Sequence, residues 1–110
     1  MKIFQVMFPG RAEFVGKTSD DITSEVIHLK DACKVTYSMQ GHQLMRHITN
    51  IGKDPDYYNG DLAIRMGPGV VVFHLKEDGP YANQYRQNIS GIVTPILKTP
   101  NDIKREVKFN

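Results

Sequence analysis

Apolar and polar residues alternate with a period of two along most of the chain, the spacing of β-strands and not of helices. Ile3-Phe4-Gln5-Val6-Met7-Phe8 is a short strand-forming run stopped by Pro9-Gly10. Ala12 to Lys17 resumes as a strand. Thr18-Ser19-Asp20-Asp21 then supplies a turn, because short polar side chains bond back to the local backbone. The longest predicted element runs from Glu25 to Ser38. There Ile27, Leu29, Cys33, Val35 and Tyr37 share one parity, and His28, Lys30, Lys34, Thr36 and Ser38 share the other. One face of that strand is expected on a core and the other toward solvent or a partner. Asp31 interrupts the apolar parity, which predicts a bend or bulge at Asp31-Ala32 of the kind that turns a barrel corner.

Gln40-Gly41 marks the next turn, and His42 to Thr49 returns as the paired strand. Ile51 to Gly60 carries Gly, Asp, Pro, Asn and two tyrosines and reads as a loop. Asp61 to Met66 and Val70 to Lys76 are two further strands, separated by Gly67-Pro68-Gly69. Ala82 to Asn88 fits one or two helical turns, and Gly91 to Leu97 a last strand. No apolar stripe at helical spacing exceeds two turns. The pattern predicts one mostly β domain over residues 1–98, followed by a polar, mildly basic tail over 99–110.

Composition narrows the partners. A chain of 110 residues is one domain with a modest core, and 40% hydrophobic content with five Tyr and five Phe is that of a folded chain. The net charge of +2 permits anionic partners, but duplex DNA is not expected, since dedicated binders carry a more basic face. Cys33 is the only cysteine, which excludes an internal disulfide and a Cys-cluster zinc site. The start of the chain alternates like a strand and not like a signal peptide. No apolar run approaches the ~18 residues that span a bilayer. A cytoplasmic protein without a membrane partner is the expectation.

Catalytic and cofactor chemistry find little support. His42 and His47 are five apart on a strand, so they point to opposite faces and do not share a metal. Asp20-Asp21 and Asp54-Pro55-Asp56 sit in turn contexts where Asp serves the backbone. Cys33 lies mid-strand on the apolar parity, with nothing to activate its thiol. Gly67-Pro68-Gly69 lacks the Lys-Ser/Thr of a phosphate loop. No enzyme and no cofactor are expected. The residues that suit a ligand are aromatic, Arg and amide groups: Tyr81, Tyr85, Arg86 and Asn88 in one turn, with His42, Arg46, Tyr57 and Tyr58 elsewhere. Flat rings stack on bases, Arg pairs with phosphate, and amides meet base edges. The bland alternative is that Tyr81 and Tyr85, four apart, staple a helical turn to the barrel.

Two segments carry a family resemblance. Phe14-Val15-Gly16-Lys17, the Asp20-Asp21 turn and Val26-Ile27-His28-Leu29-Lys30-Asp31-Ala32-Cys33-Lys34-Val35 resemble a glycine strand, an acidic turn and a leucine-x-aspartate-alanine strand. That is the opening half of Sm-like proteins. Val70-Val71-Val72-Phe73 and Ser90-Gly91-Ile92-Val93-Thr94-Pro95, joined through the Tyr81/Tyr85 turn, are similar to the closing half of the tailed-phage branch. The chain departs from bacterial Hfq in lacking an N-terminal helix and the Hfq closing motif, and in its longer Tyr57-Tyr58 loop. Hfq's RNA-contact residues therefore do not carry over. The resemblance implies an all-β, strongly bent five-stranded barrel with one short helical turn, assembling with itself into a homo-oligomeric ring. It implies a non-catalytic binder of nucleotides or short RNA held between subunits. For a phage-type member it implies a sponge that sequesters the cyclic oligonucleotide messengers of bacterial immunity. The alternatives are an Hfq-like RNA-binding regulator, or a structural ring without a nucleic ligand.

Overall fold

A computed structural model describes residues 1–10, 12–53 and 60–90. Six strands, β1 (Lys2–Met7), β2 (Glu13–Thr18), β3 (Val26–Gln40), β4 (Gln43–Asn50), β5 (Leu62–Arg65) and β6 (Val71–His74), precede one helix, α1 (Pro80–Ser90). All strand pairs are antiparallel. The sheet runs β4-β3-β2-β1-β6, with β5 joined to the first part of β3. The mostly β class expected from the alternation is present. The described sheet is open, and it holds six strands where the family resemblance implies five.

β3 is long enough to serve two neighbours because it bends. Its first residues pair with β5 and its last eight with β4. The bend is a bulge. Val15 pairs with Cys33 and Lys17 with Lys30, so Gly16 alone faces the two residues Asp31 and Ala32. Asp31 takes a φ of 50°, a left-handed conformation that Asp tolerates better than most residues. Lys17 pairs with its carboxylate at 3.1 Å, Tyr85 donates to its carbonyl at 2.7 Å, and the Ala32 N–H donates to the Gly60 carbonyl at 2.6 Å.

The bend expected at Asp31-Ala32 is there, but the single apolar parity expected along β3 is not. An extra residue in a strand of period two exchanges its faces. Ile27, Leu29 and Ala32 join Phe4, Val6, Ile51 and Ile64 on one side, whereas Cys33 and Val35 join Ile3, Val15, Ile48, Ala82 and Tyr85 on the other. Tyr37, placed on the core parity, is 45% exposed. α1 covers the second cluster. Pro80 opens it at the position where a missing N–H costs nothing, and Ala82 and Tyr85 face inward. It spans 11 residues, about three turns, and not the one or two expected. Its inward face also uses amides, which an apolar count overlooks.

Gly16 makes the crossing at the bulge possible. A Cβ there would lie 2.8 Å from the Leu29 Cβ and 3.3 Å from the Lys30 carbonyl oxygen. Gly16→Ala should therefore cost about 1–3 kcal/mol through overpacking, read as a lowered urea midpoint at unchanged m-value. An unchanged midpoint would show that β2 and β3 can separate freely at this point.

Candidate ligand-binding face

The α1 side of the sheet is only partly covered. Beyond the helix, cross-strand register aligns Met7 with Glu13 and Val71, Gln5 with Phe73, Tyr37 with Arg46, and Met39 with Leu44. Partners directly opposite project from the same face. Met7, Tyr37, Met39, Leu44, Val71 and Phe73 are all exposed there.

A polar hub sits in the middle of this strip. Glu13 Oε2 accepts from Gln5 Nε2 at 3.0 Å, from the Tyr37 hydroxyl at 2.9 Å and from the Tyr81 hydroxyl. Burial raises the pKa of both tyrosines, and the hydrogen bond to the Glu13 carboxylate raises it further. Both hydroxyls therefore stay protonated and donate. The Arg46 guanidinium lies 4.0 Å from the centre of the Tyr81 ring, a cation–π contact. Its Nε is buried with no hydrogen-bond partner, and Arg46 makes no ion pair among the described residues. A guanidinium without an ion pair among the described residues, held over an aromatic ring beside a half-exposed tyrosine, suits a phosphate and a planar group together.

Of the residues proposed from the sequence, Tyr81 and Arg46 come together here. Three others are corrected. Tyr85 is wholly buried and has no ring face for a base; its hydroxyl donates to the Asp31 and Lys30 carbonyls. It is the staple. Asn88 donates to the Ile48 carbonyl at 2.7 Å, and the Cys33 thiol lies 3.6 Å from its Oδ1. Arg86 is occupied by the Glu77 carbonyl and by Asn83. His42 is exposed on the β3–β4 turn, away from the hub. Tyr57 and Tyr58 lie outside the described residues, as do the strand expected at Gly91 to Leu97 and the tail. Sequence reading missed Gln5, Glu13 and Tyr37. The available signal was polarity on a core parity, since Gln5 and Glu13 share a face with Ile3 and Val15.

Cys33 is buried, and burial with the nearby Asp31 carboxylate pushes its thiol up to about 12, far from a nucleophile's range. A separate cleft of about 380 Å³ lies between β3 and β5, beside His28, Lys30, Asp61 and Leu62. Near it Asp20 accepts from the His28 N–H at 2.7 Å and lies 3.1 Å from Nδ1; these contacts hold its carboxyl below the usual range. No described helix is long and apolar enough to cross a membrane.

No family model matches the chain, and no curated protein is significantly similar to it. The residues themselves carry the functional reading.

Proposed function

We propose that this chain is a non-catalytic binding protein of the Sm-like type that holds a phosphate-bearing nucleotide on the face around Arg46, Tyr37 and Tyr81. The observation that carries the reading is the Arg46 guanidinium, stacked on Tyr81 and free of any carboxylate among the described residues. Arg46 takes the phosphate, and the exposed Tyr37 ring takes a base. The ligand class is the cyclic oligonucleotide messengers that a phage-type sponge would sequester. The family resemblance supports that step.

The working unit in this proposal is a homo-oligomeric ring. β6 pairs only with β1 among the described residues, and the sheet path ends there. An apolar edge of this kind associates unless something covers it. The opposite end is screened. The β3–β4 hairpin turns through Gly41 and His42, with Gly41 at φ 63°, the residue a two-residue type II′ turn needs first. Hydrogen-bonded and non-bonded pairs alternate from Gln40↔Gln43 outward, which leaves the Arg46 and Ile48 carbonyls on the free edge of β4. Gln84 and Asn88, one helical turn apart on α1, donate to those two carbonyls at 2.9 and 2.7 Å. β5, paired only with β3 among the described residues, is the edge left to receive β6 of a neighbour.

The test is calorimetric titration of cyclic dinucleotides and short oligonucleotides against the parent and two Arg variants. Arg46→Ala should weaken binding by about 1.5–3 kcal/mol, roughly ten- to a hundredfold, through loss of a charge-assisted contact. Arg86→Ala should bind like the parent. An Arg46→Ala protein of parental mass and affinity would remove the site. Strong binding of oligonucleotides alone, with a steep salt dependence, would favour an RNA-binding regulator. No nucleotide binding by the parent would leave a structural ring.

A further inference from the structure

We infer that Glu13 reads the base of the bound nucleotide and selects guanine, an inference that rests on the nucleotide-binding reading above. The two oxygens of its carboxylate are in different states. Oε2 is saturated by the Gln5 amide and the Tyr37 and Tyr81 hydroxyls, from two different strands and the helix. Three donors on one oxygen fix the plane of the group. Oε1 has no hydrogen bond among the described residues, and it is not among the buried unpartnered atoms, so it is open to a ligand.

A carboxylate oxygen held in this way only accepts. Guanine is the base that presents two adjacent donors, the ring N1–H and the exocyclic amine, to such an oxygen. Adenine and cytosine place an amine next to a ring acceptor that the charge repels, and uracil flanks its single N–H with carbonyls. Hypoxanthine keeps N1–H and lacks the amine. The surroundings fit the rest of a nucleotide. Tyr37, whose hydroxyl ends on the same carboxylate, is 45% exposed, and Phe73, opposite Gln5 in the register, is 50% exposed, so Glu13 shares its face of the sheet with exposed aromatic side chains. Arg46, cross-strand from Tyr37, is on the same face for the phosphate.

The experiment titrates cyclic di-GMP and cyclic di-IMP, which differ by one amine per base, against the parent and Glu13→Gln. Glutamine keeps the size and leaves a carbonyl for the two tyrosines, but it turns an NH₂ toward the ligand in place of an acceptor. The parent should prefer cyclic di-GMP roughly ten- to a hundredfold, the range of a hydrogen bond to a charged group. In Glu13→Gln the preference should vanish or invert, while binding of cyclic di-IMP persists through Arg46. Equal affinity of the parent for the two ligands overturns the base-reading role and leaves the nucleotide site standing. That comparison needs no variant, so a Glu13→Gln protein that fails to fold does not shelter the inference. A full guanine preference retained by folded Glu13→Gln overturns it too. If the parent binds neither ligand, guanine selection is overturned, and titration of cyclic di-AMP and short oligonucleotides then shows whether a nucleotide site stands without it.

Discussion

Tyr85→Ala should remove about 3–5 kcal/mol of stability, because Tyr85 is the largest fully buried side chain among the described residues. Tyr85 is fully buried among Ile3, Val15, Cys33, Val35 and Ile48, so truncation opens a cavity between α1 and the sheet. It also frees the Asp31 carbonyl, the strongest tie between the helix and the left-handed residue of the bulge. A domain of this size has only about 5–15 kcal/mol in all, so the variant is expected near the edge of folding. Tyr85→Phe separates the two effects. It keeps the ring and should cost about 1–3 kcal/mol for the unpaired carbonyl. Urea titration followed by circular dichroism reads both. A Tyr85→Ala midpoint within error of the parent would mean that α1 does not hold the bulge, and the helix would then be a loosely attached cover.

The architecture was legible wherever a residue's own neighbours decide its state. Val71 to His74, Ile3 to Met7 and the Gly41 turn announce themselves by β-branched content, alternation and a left-handed position. The break at Asp31 was legible too, since a carboxylate on an apolar parity has no other reason to be there. Its consequence was not. Whether an interruption is a kink or an inserted residue decides which face Cys33 and Val35 occupy, and only the pairing with β2 fixes that. The site followed the same rule. Tyr81 and Arg46 stood out as ring and guanidinium, but an aromatic, amide-rich helix does not say which side faces the sheet. Tyr85 and Tyr81 therefore look alike in the sequence, although one is sealed in the core and the other reaches the open face. Glu13 gathers partners 8, 24 and 68 residues away in sequence, a meeting that the register of three strands produces and no local motif encodes.

Val72→Pro should convert the proposed ring into folded single subunits, because the donor it removes lies on the hydrogen-bonding edge that faces outward, and the partly buried side chain it trims packs only at the margin of the Phe4 and Val6 cluster. The Leu75 N–H donates to the Ile3 carbonyl, which sets the phase of the β1–β6 ladder. Pairs alternate from there, so Phe73 and Val71 bond to β1, while the N–H and C=O groups of Val72 and His74 point away from the sheet. Proline at 72 therefore removes a donor that β1 never uses, a placement that edge strands tolerate. A neighbour's strand docking on β6 would lose that bond and meet the proline ring instead. Phe73→Pro is the contrasting variant: it breaks the pairing with Gln5 and should unseat β6 itself, with a lowered urea midpoint. Native mass spectrometry should give the parent a mass several times 12.5 kDa and Val72→Pro close to that single-chain value, with an unchanged far-ultraviolet spectrum. If Val72→Pro keeps the parental mass, subunits meet elsewhere, and the exposed Met39 and Leu44 at the β3–β4 turn become the next surface to alter. A parent that is itself a single chain at micromolar concentration ends the ring proposal. The Arg46 face would then have to bind its ligand within one subunit, as its hydrogen bonds already permit.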